Sequence, residues 1–308
     1  MTVTAAERWA KARTFHHSRY PLERIVAARE ETAAARGLER GERSPSISVC
    51  LPARECAATV GPIVAALLTL RQAGALDEVV VVDAASADGT AAVARAAGAT
   101  VYQEARLRPE FGPVLGKGDA MWRALGVLGG ELVCFLDADS EGFSAHFATG
   151  LLGPLVCEPH VDFVKAFYRR PFEHDGICLP EGGGRVNHLL ARPALALFYP
   201  ELAGVLQPLA GEVAARRELL ESVPFATGYG VEVAMLIDIW SRLGGERVAQ
   251  VDLDVHRNTH QPLSALTPMA RTVLATIARR LEREGRLTGM APEQAPPERP
   301  PLAELLAR

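Results

Sequence analysis

The chain has 308 residues, 48% of them hydrophobic and 23% charged, with a mean hydropathy of +0.08. That make-up supports a sizeable core, in one large domain or in a domain with an appended lobe. A formal net charge of -4 and a pI of about 6.1 argue against a general nucleic-acid binder, which needs a basic excess or stripe.

No apolar run reaches the roughly 18 residues of a membrane span. The first residues carry Glu7, Arg8, Lys11 and Arg13 in place of the apolar centre of a signal peptide, so a cytoplasmic location is expected. Cys50, Cys56, Cys134, Cys157 and Cys178 are scattered, form no C-x-x-C pair and read as reduced thiols.

Residues 1–44 are charged and mixed, with an amphipathic stretch from Pro21 to Ala35, and residues 39–45 read as a linker. Ile47 to Leu51 is a short strand, Pro62 to Leu70 is helical, and residues 78–83 form a β-branched apolar run closed by Asp83. Such a continuous run suits a strand buried on both faces of a parallel sheet. Asp88-Gly89-Thr90 opens an Ala-rich helix stopped by Gly98. Thr100 to Tyr102 is a strand, Lys117 to Leu128 a helix, and Glu131 to Leu136 a buried strand closing on Asp137. In the second half Val161 to Arg170 reads as a strand, and residues 181–185 as a Gly-rich loop entering a helix. Gly211 to Val223 and Gly230 to Leu243 read as helices, Arg247 to Val255 as a strand and Leu266 to Glu284 as a last helix. The Pro-rich stretch from Gly289 reads as a flexible arm.

Alternating strands and helices predict a parallel sheet of right-handed βαβ units, with ligands bound at the carboxyl ends of the strands. Those ends carry Ala53-Arg54-Glu55, Asp83-Ala84-Ala85-Ser86 and Asp137-Ala138-Asp139. Two acids on the turn after a buried strand can hold a divalent cation that neutralises a diphosphate; a solvated turn is the plainer alternative. Asp83 reads as a turn former or as an acceptor for a base or ribose. Gly116-Lys117-Gly118-Asp119 allows a close backbone approach, with Lys117 in reach of a phosphate. It is not a P-loop, because no Ser or Thr follows Lys117. Residues 182–187 put a guanidinium, Arg185, at a helix start, which makes an anion pocket for a phosphate or carboxylate. His256 to His260 lies at a strand end, where one histidine can complete a metal shell with Asp139; His16-His17 reads as structural.

Together with Leu51 to Glu55, Gly116 to Trp122, Val164 to Pro171, Val205 to Glu212, Gly228 to Glu232 and His256-Arg257-Asn258, these motifs occur in one order. Over roughly residues 45–280 the chain resembles the actinobacterial glucosyl-3-phosphoglycerate and mannosyl-3-phosphoglycerate synthases. The resemblance implies an α/β GT-A fold: a Rossmann-like mixed sheet flanked by helices, with a helical acceptor-binding C-terminal part. It implies a homodimeric retaining hexosyltransferase acting on the 2-hydroxyl of 3-phosphoglycerate, for compatible-solute or polysaccharide-precursor synthesis. The implied parts are an N-terminal helical extension (1–44), a nucleotide-sugar-binding half (45–142), an acceptor-binding and metal-completing half (143–284) and a flexible Pro-rich tail (285–308).

By the same resemblance Leu51, Pro52, Ala53, Glu55, Asp83, Lys117, Asp137, Ala138, Tyr229 and Glu232 hold the sugar donor. Gly184, Arg185, Val186, Asn187 and Asn258 hold phosphoglycerate. Asp139 and His256 bind Mg²⁺ or Mn²⁺, and Asp137, Asp139, Lys117 and Arg257 carry the catalysis. Two departures lie near the donor: Ala84-Ala85-Ser86 replaces Ser-Gly-Ser, and Asp254 replaces an arginine. A relaxed base pocket suits GDP-mannose, or both GDP- and UDP-sugars; mannosyl transfer is the favoured expectation and glucosyl transfer from UDP- or GDP-glucose the alternative. A nucleotidyltransferase and a non-catalytic nucleotide-sugar sensor are the rivals from outside the family.

Overall fold

The computed structural model describes residues 3–39, 41–174, 177–180, 182–257, 262–288 and 295–307. The N-terminal stretch forms α1 (Ala5–Arg13), β1 (Thr14–His16) and α2 (Leu22–Ala35). Next come β2 (Ile47–Ala53), α3 (Val60–Gln72), β3 (Glu78–Asp83), α4 (Thr90–Ala96), β4 (Thr100–Gln103), α5 (Lys117–Ala124) and β5 (Leu132–Phe135). The second half adds α6 (His146–Cys157), β6 (Phe163–Arg169), β7 (Phe172–His174), β8 (Ile177–Leu179), a π-helical turn (Asn187–Ala191) and α7 (Arg192–Phe198). It continues with β9 (Val213–Arg216), α8 (Arg217–Glu221), β10 (Phe225–Ala226), α9 (Val231–Leu243), β11 (Val248–Val255) and α10 (Leu263–Arg283). β12 (Glu298–Arg299) and α11 (Leu302–Leu306) follow.

Eight strands make one sheet in the order β1-β11-β6-β9-β5-β2-β3-β4, parallel throughout except for β9, which is antiparallel to both neighbours. The apolar strand runs follow from burial on both faces. In β3, Val80 and Val82 enter one core cluster while Val79 and Val81 enter the other. In β5, Val133 and Phe135 alternate with Leu132 and Cys134 in the same way, as the period of two requires. α5, α9 and α10 cover the first face; α2, α3 and α6 cover the second.

The chain leaves β2 through α3 to β3 on one side, and after β4 crosses back through α5 to β5 on the other side of β2. At such a switch point the loops diverge and open a crevice at the carboxyl ends of the strands. The turns after β2 and β5 border it.

Three expectations are corrected. Gly211 to Val223 is not one helix: Val213–Arg216 is the antiparallel strand β9, and only Arg217–Glu221 is helical. The N-terminal extension is not wholly helical, because β1 joins the main sheet beside β11, pairing Thr14 with Gln250. The tail is not a free arm over residues 295–307: β12 pairs with β10, Pro300 O accepts from Trp122 Nε1 at 2.9 Å, and Leu302 is buried. Arg299 of this tail pairs with the buried Asp119 carboxylate and Glu298 with the buried Arg280 guanidinium, which docks the segment despite its prolines. No helix is long and apolar enough to cross a membrane among the described residues.

Candidate active site

The turn after β5 is held on both sides. Thr59 Oγ1 at the start of α3 donates to Ala138 O at 2.6 Å, and Glu141 N donates to Arg257 O at 2.9 Å. Ala138 is buried, Asp137 is half-buried and Asp139 faces solvent. Lys117, the first residue of α5, places Nζ 2.5 Å from Asp137 Oδ1 and 3.3 Å from Glu232 Oε1 in the first turn of α9. Burial opposes its charge, but the Asp137 and Glu232 carboxylates outweigh that and hold Lys117 well above the ordinary lysine range. Gly211 closes this corner: a Cβ there would collide with Asp137 and Lys117.

Behind the turn lies a fully buried polar cluster. Glu212 immediately precedes β9, and because β9 is antiparallel its first residue lies beside the end of β5 and the middle of β6, with Val213 opposite Phe135 and Lys165. Tyr168 donates to Glu212 Oε2 at 2.8 Å and stacks on His256, with ring centroids 4.5 Å apart. His256 Nε2 lies 3.0 Å from Glu212 Oε1 and 2.8 Å from Ser140 Oγ. Burial alone would push Glu212 up and His256 down. Their mutual attraction wins in both, bringing Glu212 to about 2 and His256 above the ordinary histidine value. Lys165 donates from the same floor to Ala210 O, and burial draws its amine down to about 8.

Partial desolvation, then the neighbouring Asp137 charge, push the Asp139 carboxyl up, and a cation beside it would favour the ionised form. His256 Nδ1 is buried with no hydrogen-bond partner. A solvent-facing carboxylate and an imidazole with an orphaned nitrogen fit a divalent cation through two protein ligands, the rest coming from phosphate and water. Among the described residues, no group of three convergent His, Cys, Asp or Glu ligand atoms includes Asp139 or His256.

At the end of β2, Leu51 and Ala53 are buried and Pro52 is half-buried. Asp83 accepts from Gln103 Nε2 at 2.8 Å through Oδ2, while its buried Oδ1 has no partner. Glu55 N donates to Ser86 Oγ at 2.9 Å, and Glu55 Oε1 accepts from Ala87 N at 2.8 Å, so this carboxylate braces the loop after β3. Ala85 within that loop has φ 54°, a backbone that glycine adopts more cheaply.

In the Gly-rich loop Gly184 has φ 66°, and the Arg185 guanidinium lies 5.1 Å from the Phe172 ring centre. Val186 is buried. Asn187 is buried with Oδ1 accepting from Leu209 N at 2.9 Å, which ties the π-helical turn to the loop leading to Glu212. Arg257 is exposed and Tyr229 is 57% exposed. Asn258 lies outside the described residues.

Residues 48–169 match Glycosyl transferase family 2. The chain is 38% identical to the glucosyl-3-phosphoglycerate synthase of Petrotoga mobilis over 89% of its own length and 82% of that protein's. It is 45% identical to the Mycolicibacterium smegmatis enzyme of the same name over 79% of this chain and 80% of the relative. The crystal structure of mannosyl-3-phosphoglycerate synthase from Rubrobacter xylanophilus superposes with a TM-score of 0.87 at 40% identity, covering 99% of both chains. The chain belongs to the glucosyl- and mannosyl-3-phosphoglycerate synthase family. It is a hexosyltransferase with the GT-A fold. The synthase from Mycobacterium tuberculosis, crystallised with Mn²⁺, UDP-glucose and phosphoglyceric acid, superposes with a TM-score of 0.77 at 38% identity over 93% of this chain and 95% of that one.

Within this family member the fold brings Asp137, Asp139, Lys117, Glu232 and His256 to one edge. The sequence reading assigned no role to Ser140, Lys165, Tyr168 or Glu212. Tyr168 and Lys165 are hidden in a strand-like run, and Glu212 is disguised by the helix read over 211–223. An acid directly ahead of Val213-Ala214-Ala215 was the available signal for a strand-end carboxylate.

Proposed function

We propose that this chain transfers a hexose, with retention, from a nucleotide diphosphate sugar to the 2-hydroxyl of 3-phosphoglycerate. The observation that carries the reading is the Lys117, Asp137 and Glu232 group beside the Asp139 and His256 pair, at the mouth of the β2/β5 crevice. Pro52, Ala53 and Asp83 line the nucleoside side. Glu232 and Tyr229 meet the sugar, and Arg185 with the Gly184 turn takes the phosphoglycerate. Asp139 and His256 hold Mg²⁺ or Mn²⁺, whose charge offsets that developing on the leaving diphosphate. Lys117 adds a fixed positive charge near the same phosphate, and Asp137 orients both the lysine and a sugar or ribose hydroxyl. Arg185 positions the attacking hydroxyl on the same face as the leaving group.

The sugar is the finer question. The sequence relatives named above carry the name of glucosyl transfer, which gives the mannosyl preference no support, while the Rubrobacter neighbour carries the mannosyl name. We read the loop at Ala84-Ala85-Ser86 as one that accepts both guanine and uracil donors.

The test is nucleoside diphosphate release by the purified chain with Mg²⁺ or Mn²⁺, 3-phosphoglycerate and, separately, GDP-mannose, GDP-glucose and UDP-glucose. Acceptor-dependent release is expected, and the donor ranking settles the sugar. Pyrophosphate release would make it a nucleotidyltransferase; donor binding without turnover would make it a sensor. Asp139→Asn should lower kcat about 10²-fold or more with the fold intact. Arg185→Ala should chiefly raise the KM for phosphoglycerate. A homodimer belongs to the same reading, and light scattering should give twice the chain mass of 33.0 kDa.

A further inference from the structure

His16, His17 and Asp254 converge beside the catalytic edge. Their ligand atoms lie within 4.8 Å of one another, and no other trio of His, Cys, Asp or Glu does so among the described residues. His17 Nε2 is 2.7 Å from Asp254 Oδ2, and His16 Nε2 is 3.4 Å from Asp254 Oδ1. Ligands around a tetrahedral ion with bonds of about 2.0–2.1 Å sit roughly 3.3 Å apart. The two carboxylate spacings bracket that value and the third lies within 4.8 Å, so side-chain rotation is what would close the three on one cation. We propose that His16, His17 and Asp254 form a second divalent-metal site, suited to Zn²⁺, that clasps β1 to the end of β11.

The trio is built by the backbone. β1 pairs in parallel with β11, placing His16 opposite Asp252, and the register of β11 slips between Asp252 and Val255. Within that bulge Asp254 has φ 65°, and its N–H is capped by Asp252 Oδ1 at 2.9 Å. A bulge re-aims a side chain, and a non-glycine residue held at positive φ marks backbone committed to a task. Here the outcome is a carboxylate facing two imidazoles.

The outer shell suits the role. Ser18 Oγ lies 2.8 Å from His16 Nδ1 and Ser18 N donates to the same nitrogen at 3.2 Å, so the ring is held by its Nδ1 edge and Nε2 faces Asp254. The His17 ring stacks between His16 and His146, at 4.4 and 4.3 Å, and His146 is tied to Leu253 O at 3.1 Å. The side chains of His16 and Asp254 are 47% and 43% exposed, so an ion can enter and water can fill its open position. Two imidazoles and one carboxylate with an open position are a zinc-type donor set. Arg169 Nη2, 3.4 Å from Asp254 Oδ1 on a 58% exposed side chain, neutralises the carboxylate in the metal-free chain and swings into solvent when the cation arrives.

The ion would lock the chain two residues ahead of His256, fixing the segment that carries this imidazole. The site is independent of the sugar and acceptor assignments. The experiment uses full-length chain carrying Asp139→Ala, which removes a ligand of the other site. The chain is stripped of metal, then titrated with Zn²⁺ alone by calorimetry and with Co²⁺ alone by visible absorption. One equivalent of Zn²⁺ and the strong bands of tetrahedral Co²⁺ are expected. Adding His17→Ala or Asp254→Asn should abolish both. Adding His16→Gln, a change at an exposed ring that the fold tolerates, should weaken binding at least about tenfold. An Asp139→Ala chain that takes up no Zn²⁺, or His16→Gln leaving affinity unchanged, overturns the site.

Discussion

At the scale of residues, the buried pair Glu212 and His256 decides how the edge of the sheet behaves with pH. Glu212 titrates at about 2 in the fold against 4.5 for an unperturbed glutamate. Its contribution to stability is complete above 4.5 and disappears as pH falls toward 2. His256 is raised above 6.5, so its contribution is complete below 6.5 and is lost as pH climbs through its folded value. The metal-free chain therefore gains most from the pair between about 4.5 and 6.5. Glu212→Gln should flatten the fall of the melting temperature on either side of that window, below about 4.5 and above about 6.5, measured by calorimetry in chelator. A variant whose curve keeps the shape of the parent's would mean that other groups govern it. None of this was legible in the sequence, because a carboxylate's pKa depends on what burial places opposite it. Asp139, by contrast, stood out directly: an acid two residues beyond a strand-closing acid lands on the exposed side of the turn.

At the scale of elements, the tail β12 shows what charge pairing does to a segment that composition marks as loose. Asp119 in α5 is fully buried and accepts from Arg299 Nη2 at 2.7 Å and from Arg123 Nε at 3.1 Å. Arg123 is also fully buried, and donates to Leu107 O at 2.7 Å and Gly112 O at 2.7 Å. The cluster thus staples the tail to the loop that precedes Lys117. Asp119→Ala would strand two guanidinium groups and should cost about 3–5 kcal/mol. Arg299→Ala should cost clearly less, since Arg123 still answers the carboxylate. Denaturant midpoints of the two variants check the ranking, and equal losses would contradict it. The misread of 211–223 lives at the same scale. Ala214-Ala215-Arg216-Arg217-Glu218-Leu219-Leu220 has strong helical propensity, yet the gap between β5 and β6 takes a strand there. Tertiary pairing overrides local preference when both neighbours present unpaired edges.

At the scale of the whole molecule, the sheet order makes the enzyme one body. The N-terminal extension lies at one end of the sheet and the nucleotide half at the other, with the crevice between β2 and β5. Trp9 anchors the extension: its Nε1 donates to Gly245 O at 2.9 Å and Val248 O at 3.2 Å, and its ring meets Trp240 edge-on, with centroids 5.0 Å apart. Trp9→Ala should cost about 3–5 kcal/mol. A denaturation curve that moves as a single transition would show the extension folding with the sheet. An unshifted midpoint would make it an accessory.

The sequence by itself determined the alternation of strand and helix, the buried character of β3 and β5, and the acid turn at Asp137 to Asp139. These follow from local periodicity and from where an apolar run must end. It also carried the family, since the motifs keep their order and spacing. Only the tertiary structure decided that β9 runs backward, that Glu212 and Tyr168 lock His256, that the tail is docked, and that His16 and His17 meet Asp254. Each of these depends on contacts between segments up to 238 residues apart, and no local pattern encodes which distant partner will satisfy a buried charge.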